Sequence, residues 1–592
     1  PIARQPLAFC LLPIAFCLLQ DSLLPSAYCL LPSAYCKTAS CLLPIARQPL
    51  AYCLLPIAFC LLPSASCLFL ACSLYPIPFM SQRWISLISF FVLNFVLRFS
   101  TLFASATDRD EGIYFLIAQS FLAGHPPYVE VWENKPPGIF FLFATAILIF
   151  GNSPIAMRLL AIICTTFTSY FLWGIGKTLD EKHGEKIGLV AGLVYAVFSL
   201  HNDGNASNAE IIFAPFVTLA FLLFFRGIQR QLSPMRGLLI GLSLGLALQI
   251  KYVVIMDIIA LAVLAGVWFL KTAINRGFSR QQLRQFFLDS ALKFYLTFTL
   301  GLILPLTIIL IYYWQVNHLS DYFYATLTAN QKYVQFTEFE PESLLNRLRK
   351  QVNENLMLWI SLFTGVGYII IPKRWIQFSK KPLFQLLIWF CITFVAVLIS
   401  KRFYNHYFLQ LLPPLCLITG YLLVQLTYWE PIKNLQRRTL ILALILLYPV
   451  GQSIYNRSQK SWEFISNEWI KGIDNWDDRE EKIADYLKPR IAPDDYIYVV
   501  NHQPILYALV PAKIPTKYPF PSHLTALSHI LPIDPITELQ SIMRRRPVYV
   551  ILANKDNINP HYREVLNLYL ENRYFLETEI ENIKLYRIRN RE

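Results

Sequence analysis

Charge is scarce in this chain. Only 15% of its 592 residues are Asp, Glu, Lys or Arg, while 55% are hydrophobic and 15% aromatic. A soluble domain carries about 25% charged residues, so the scarcity excludes that class and fits a chain that crosses a membrane many times. The formal net charge is +14, yet there is no basic block. Lys and Arg are spread through short loops between apolar runs, a pattern of membrane topology and not of nucleic-acid binding. A cysteine framework is missing too. Of 12 cysteines, all but Cys164, Cys391 and Cys416 lie before residue 73, and those three sit singly in apolar runs. They have no metal-ligand spacing and read as packing residues. No P-loop and no dinucleotide fingerprint occurs, so no nucleotide site is evident.

Residues 1–79 repeat a seven-residue unit, seen as LLPIAFC, LLPSAYC and LLPSASC. A proline in each unit forbids a continuous helix, so this period does not signal a coiled coil. There is no basic start followed by one uninterrupted apolar core, which also argues against a signal peptide. The stretch is expected to be disordered and reads as a translated nucleotide repeat upstream of a start at Met80.

Beyond it, apolar runs occupy 84–106, 154–176, 187–201, 209–227, 236–250, 252–270, 293–314, 354–371, 383–400, 407–428 and 438–455. Most approach the roughly 20 residues that span a bilayer. GIFFLFATAILIFG (138–151) would make a helix of about 21 Å against a hydrocarbon core of about 30 Å. Leaving it out separates alternate loops into two classes. One holds Lys177, Lys182 and Lys186; Arg226, Arg230 and Arg236; Arg276, Arg280 and Arg284; Lys373, Arg374, Lys380 and Lys381; and Lys433, Arg437 and Arg438. The positive-inside rule makes these loops cytoplasmic. Residues 138–151 are then a juxtamembrane or re-entrant helix. The expected fold is an α-helical polytopic membrane protein of about eleven transmembrane helices, N-terminus in and C-terminus out. It has a transmembrane domain over 80–455, a first external loop over 107–153, and an extracytoplasmic α/β domain over 456–592, where β-rich runs such as DYIYVVN and RPVYVILAN alternate with polar helices.

The first external loop reads TDRDEGIYFLIAQSFLAGHPPYVEVWENKPPG from Thr107 to Gly138. Asp108 and Glu111 stand in the D-x-x-E spacing of a capping box, and Gly124 follows as a helix terminator. One cap does not require three carboxylates, and Asp110 has no structural task. Acids held at a membrane boundary more often serve a function. Such a carboxylate can deprotonate an acceptor hydroxyl that attacks the anomeric carbon of a sugar carried on a polyprenyl phosphate. A cation must then stabilise the departing phosphate. Lys135, followed by rigid Pro136–Pro137, suits that task; its competing reading is a lysine that snorkels to the interface.

With NSPIAMRLLA (152–161), SNAEIIFAP (207–215), LALQIKYVV (246–254) and RFYNHYFLQLLPP (402–414), this loop resembles bacterial C-type glycosyltransferases. These are families related to the protein O-mannosyltransferases and the lipid A aminoarabinose transferases. The resemblance covers most of residues 84–530, and the combination of D-x-DEG, KPPG and HYFLQLLPP is its most specific part. It implies a membrane glycosyltransferase with a polyprenyl-phosphate-linked sugar donor, an external active site and inversion at the anomeric carbon. It further implies a multi-pass protein of the bacterial plasma (inner) membrane, a hexosyl or pentosyl group transferred, and a glycan, lipid or protein acceptor.

By motif, Asp110 matches the family's base, with Glu111 beside it and Asp108 as the alternate, and Lys135 matches the lysine near the lipid phosphate. Lys251, Arg402 and Arg158 are further candidates for the donor phosphate, and Glu210, Tyr404 and His406 for substrate. Each has a plainer reading: Glu210 as a helix cap, Lys251 as the outer end of two short spans, His406 as an interfacial anchor, Arg158 and Arg98 as snorkelling cations. Paired acids could hold a divalent cation through oxygen ligands, but no complete ligand set is visible and no cofactor is assigned. The rival readings are a lipid or solute transporter or flippase, which would show paired repeats and broken helices near mid-membrane, and a non-catalytic scaffold, which leaves the acidic loop unexplained.

Overall fold

The computed structural model describes residues 81–370, 379–428, 478–553 and 558–589, with the isolated positions 455, 459 and 466. The repeat of 1–79, the basic residues at 373–374 and 433–438, and the apolar run 438–455 apart from Tyr455 lie outside the described residues.

Every expected apolar run between 84 and 428 forms a helix. They are α1 (Gln82–Arg98), α4 (Pro154–Leu179), α5 (Gly184–Phe198), α6 (Ala209–Arg230), α7 (Pro234–Leu248), α8 (Ile255–Asn275), α9 (Lys293–Gln315), α11 (Leu356–Ile370), α12 (Lys380–Ile399) and α13 (Leu412–Thr427). Between them come α2 (Arg109–Leu122), α3 (Gly138–Phe150) and α10 (Pro341–Glu354). Among the described residues, seven helices are long and apolar enough to cross a membrane, and α3, α7 and α11 are shorter apolar helices. The chain is a multi-pass membrane protein.

Local sequence sets the ends of these helices. Pro154 and Pro234 occupy first turns, where a missing N–H costs nothing. Gly151, at φ 94°, stops α3. Small residues let helices touch backbone to backbone. A Cβ on Gly241 of α7 would lie 2.0 Å from the Phe298 carbonyl of α9, and one on Gly188 of α5 would lie 2.2 Å from the Trp173 carbonyl of α4. No larger side chain fits either crossing.

The helices alternate in direction, so that one end of the bundle, here the upper end, collects the functional loops. Arg98 of α1 donates to Ser199 Oγ beyond α5 at 2.8 Å, and Ser207 before α6 donates to the Met157 carbonyl of α4 at 2.8 Å. Glu210 of α6 meets Lys251 beyond α7, and His201 meets Asn355 before α11 at 3.0 Å. The basic loops gather at the other end, where Lys186 bonds the Tyr428 hydroxyl at 2.6 Å and Gln425 bonds Asp180 at 3.0 Å. Both ends of α3 lie at the upper end. The Gly138 N–H donates to the Gln249 carbonyl beyond α7 at 2.8 Å, and Gly151 leads within three residues into the upper end of α4.

The C-terminal α/β region comprises α14 (Arg479–Leu487), β1 (Ile497–Val500), α15 (Pro535–Arg544), β2 (Tyr549–Ala553), α16 (Pro560–Arg573), β3 (Tyr574–Ile580) and β4 (Ile583–Ile588). The sheet order is β1-β2-β4-β3, with β1 and β2 parallel and the other pairs antiparallel. Ile551 pairs with Val499 on one side and Leu585 on the other, all three buried. This region packs on the upper end. Asp478 accepts from the Ser105 N–H at 2.7 Å, the Trp132 N–H donates to the Lys517 carbonyl at 2.8 Å, and the Tyr324 hydroxyl donates to the Ile530 carbonyl at 3.0 Å.

The two ends should lie on opposite sides of the membrane. A reporter fused at residue 280 is expected to be active only in the cytoplasm, where positive loops reside, and one fused at the C-terminus only outside. Exchange of the two sides would mean that α3 crosses, because both fusion points follow it, and activity of both on the same side would mean that the count of spans between them is wrong.

Candidate active site

The acidic stretch starts α2, and its carboxylates divide into two kinds. Asp108 is the N-cap residue: its carboxylate accepts the Asp110 N–H at 3.1 Å, while Glu111 accepts the Asp108 N–H at 3.2 Å. This is the capping box expected from the D-x-x-E spacing. Glu111 is fully buried, is paired with the Arg158 guanidinium of α4, and accepts the Ser207 N–H at 2.8 Å. Arg158, 1% exposed, also donates to Thr107 Oγ1 at 3.2 Å and to the Ala104 carbonyl at 3.4 Å. The pair therefore ties α2, α4 and the loop before α6 together.

Asp110 faces the other way, into a cavity of about 820 Å³ at the upper end. Its carboxylate accepts from the Tyr114 hydroxyl at 3.1 Å and lies 3.9 Å from Lys135 Nζ. Burial alone would raise the Asp110 carboxyl, but Lys135, His406 and Lys251 outweigh it and hold the group below the usual aspartate range. Asp108, a neighbour on the same wall, moves oppositely. Burial first, then the charges of Asp110, Glu111 and Asp203, push its carboxyl up to about 7.

Lys135 is held by its own loop. The Tyr128 hydroxyl donates to the Lys135 carbonyl at 2.6 Å, and Glu133 Oε1 lies 3.4 Å from Lys135 Nζ. Tyr128 adopts φ 75°, a strained conformation for a bulky residue, and its buried ring stacks on Tyr313 at 5.8 Å. Burial opposes the Lys135 charge, yet Tyr114, Glu133 and Asp110 raise its pKa well above the ordinary value.

Another wall comes from Lys251, beyond the end of α7, and from the turn 401–407. Glu210 pairs with Lys251 at 2.5 Å, and Lys251 Nζ sits 4.3 Å above the Tyr407 ring. Burial lowers the Lys251 pKa in spite of Glu210. Positive φ at Lys401 and Phe403 turns Arg402, Tyr404 and His406 toward the cavity. Arg402 donates to Thr337 Oγ1 at 3.3 Å and lies over the Tyr333 ring, while Tyr404 and His406 stack at 5.8 Å. A third side is apolar: it is lined by Val253 just before α8, Ile255 and Met256 at the start of α8, and Ala396 and Ile399 at the end of α12.

Of the residues singled out from sequence, Asp108, Asp110, Lys135, Lys251, Arg402, Tyr404 and His406 line this cavity. Glu111, Arg158 and Glu210 do not: the first two are consumed by each other and Glu210 by Lys251. Arg98 is likewise buried against Asn94 and Ser199. Sequence reading missed Arg109, Asp203, Tyr333, Arg347, and the C-terminal residues Asn501, Ser522 and His523, all on the cavity wall. Asp203 sits in the Asn/Asp/Gly-rich loop 201–210 at φ 62°, a turn signal that carries no hint of its neighbours. Asp108, Asp203 and His406 each bring one ligand atom within 4.8 Å of the others. That oxygen and imidazole set could hold a divalent cation.

Residues 134–314 match the family model described as Dolichyl-phosphate-mannose-protein mannosyltransferase. The match begins one residue before Lys135. In three dimensions the chain is similar to ArnT from Cupriavidus metallidurans bound to undecaprenyl phosphate, with a TM-score of 0.55 at 12% identity over 86% of this chain and 98% of that one. The apo state of that protein gives 0.53 at 12% identity over 84% and 97%. The Archaeoglobus fulgidus oligosaccharyltransferase in the apo form gives 0.46 at 15% identity over 80% and 69%. No curated protein matches the sequence. The chain has the C-type glycosyltransferase fold, as the resemblance in its motifs implied.

Because the Glu111–Arg158 pair is sealed, removing one partner strands a buried charge. Arg158→Ala should lower unfolding stability by about 3–5 kcal/mol, read as a large drop in Tm in detergent. Asp110→Asn should leave Tm nearly unchanged.

Proposed function

We propose that this protein transfers a hexosyl or pentosyl group from a polyprenyl-phosphate donor to an acceptor hydroxyl at the outer face of a bacterial plasma membrane, with inversion. The observation that carries the reading is the pairing of Asp110 and Lys135, 3.9 Å apart, in a cavity with one apolar side. A general base and a phosphate-binding cation thus share one site. The orientation rests on the basic loops lying at the other end of the bundle. The similarly folded ArnT was solved with undecaprenyl phosphate, which supports this donor class.

In this mechanism the lipid chain lies along Ile255 and Ile399, which are half exposed, and its phosphate reaches Lys135, Arg402 and Lys251. The acceptor, a glycan, lipid or protein hydroxyl, approaches Asp110. As its oxygen attacks the anomeric carbon from the face opposite the phosphate, Asp110 takes the hydroxyl proton. The new glycosidic C–O bond forms, the bond to the phosphate oxygen breaks, and the polyprenyl phosphate leaves with the electron pair. Lys135, kept protonated by its acidic neighbours, stabilises that charge. A divalent cation held by Asp108, Asp203 and His406 would add Lewis-acid stabilisation of phosphate oxygens. The gathering of charges at one end, not midway through the bundle, argues against a transporter.

Asp110→Asn should lower transfer from a polyprenyl-phosphate sugar by about 100- to 10,000-fold while the lipid still binds. Lys135→Ala should weaken donor binding as well as turnover. The two acids also differ in titration. If Asp110 is the base, its depressed pKa means that kcat/KM stays flat from neutrality downward and falls only in strong acid, as the carboxylate is protonated. An acidic limb centred near 7 would assign the base to Asp108 instead.

A further inference from the structure

Part of the cavity wall belongs to the C-terminal α/β region, through the loop after β1 and the segment before α15. Three residues that line the cavity each carry a polar atom almost sealed from solvent and without a hydrogen-bond partner among the described residues: Asn501 Nδ2 and His523 Nδ1 from this region, and Glu133 Oε2 from the loop of Lys135. Their residues are 4%, 2% and 2% exposed. Buried polar groups are normally satisfied, and an exception asks for an explanation.

The three are held in place rather than loose. Asn501 follows Val500 of β1 at φ 54°, a left-handed conformation that Asn tolerates better than most residues. The His523 ring packs edge-on to Trp132 at 5.0 Å and against Phe520 at 4.8 Å, and its Nε2 lies 3.5 Å from Glu133 Oε2. The other Glu133 oxygen is 3.4 Å from Lys135 Nζ, so the group borders the proposed phosphate site.

Their chemistry selects a ligand. Asn501 Nδ2 is a pure donor and the Glu133 carboxylate an acceptor. Burial, then Lys135, push the His523 imidazole down to about 3; it is neutral at physiological pH, and Nδ1 can donate or accept. A phosphate has no proton to offer Glu133 and would be repelled by it. Hydroxyls, each both donor and acceptor, satisfy all three atoms. We propose that Glu133, Asn501 and His523 form a subsite for the ring hydroxyls of the sugar carried by the lipid donor. The inference rests on the donor reading above, and adjacency to Lys135 favours the ring bonded to the phosphate over the acceptor's.

The test compares binding of polyprenyl-phosphate mannose, polyprenyl-phosphate glucose and bare polyprenyl phosphate to the full-length protein in detergent, followed by Trp fluorescence. Asn501→Asp keeps the backbone preference but removes the donor, and His523→Phe keeps the ring packing but removes both nitrogens. The wild type should bind at least one sugar-bearing lipid more tightly than the bare one. Each variant should lose about five- to tenfold of that gain, the worth of one hydrogen bond, with the affinity for bare lipid unchanged. In transfer assays, KM for the donor should rise and KM for the acceptor should not. Variants that keep the full sugar-dependent gain, or that raise only the acceptor KM, overturn the subsite while leaving the donor reading intact. A wild type that binds none of the three lipids overturns both.

Discussion

The buried pair between Glu111 and Arg158 organises the upper end of this protein. Two charges have been removed from water there, and each is compensated by the other and by backbone groups: Ser207 N–H and Asp108 N–H on the carboxylate, the Ala104 carbonyl on the guanidinium. An ion sealed so completely tolerates one geometry only. The start of α2 is thereby locked against α4 and the approach to α6. Asp110, one residue before Glu111 on the helix, is turned about 100° from it and so points into the cavity while Glu111 points into the protein.

From that placement follows an electrostatic division of labour among neighbouring acids. Asp110 faces Lys135 and Lys251 and stays charged. Asp108 faces other carboxylates and is pushed toward neutrality. Similar side chains in one low-dielectric wall thus acquire different protonation states through their neighbours. The same principle orders the cations: Lys135 has acids on its side of the cavity and holds its proton firmly, whereas Lys251, desolvated against the aromatic Tyr407 ring, holds it less so. A site with this alternation can receive a phosphate at one point and a hydroxyl at another without a net excess of either charge.

The C-terminal α/β region contributes wall as well as cover. Its contacts run to the loop that carries Lys135, through Trp132 to Lys517 and Glu133 to His523. Motion of that region would therefore be felt at Lys135. Burying unsatisfied polar atoms at this junction costs stability, a cost that a sugar bound at the proposed subsite would offset.

Much of the architecture was legible along the chain, because a bilayer imposes its demands locally. A run of apolar residues long enough to span must be a helix, since lipid offers its backbone no other partner, and the runs from 84 to 428 are helices at the expected places. The capping box of Asp108 and Glu111 was equally legible, because a cap joins residues three apart. The alternation of basic with other loops pointed the motifs DEG, KPPG and RFYNHY to one end of the membrane, because each span reverses the chain. What the chain could not express was partnership at a distance. Nothing near Arg158 says that it meets Glu111 rather than a phosphate, nothing near Glu210 says that Lys251 consumes it, and nothing near Asn501 or His523 ties them to a loop almost 400 residues earlier. Helix propensity and hydropathy are sums over neighbours. The choice between a charge spent on the fold and one left for chemistry is made by desolvation and pairing, and only the tertiary structure supplies the partner.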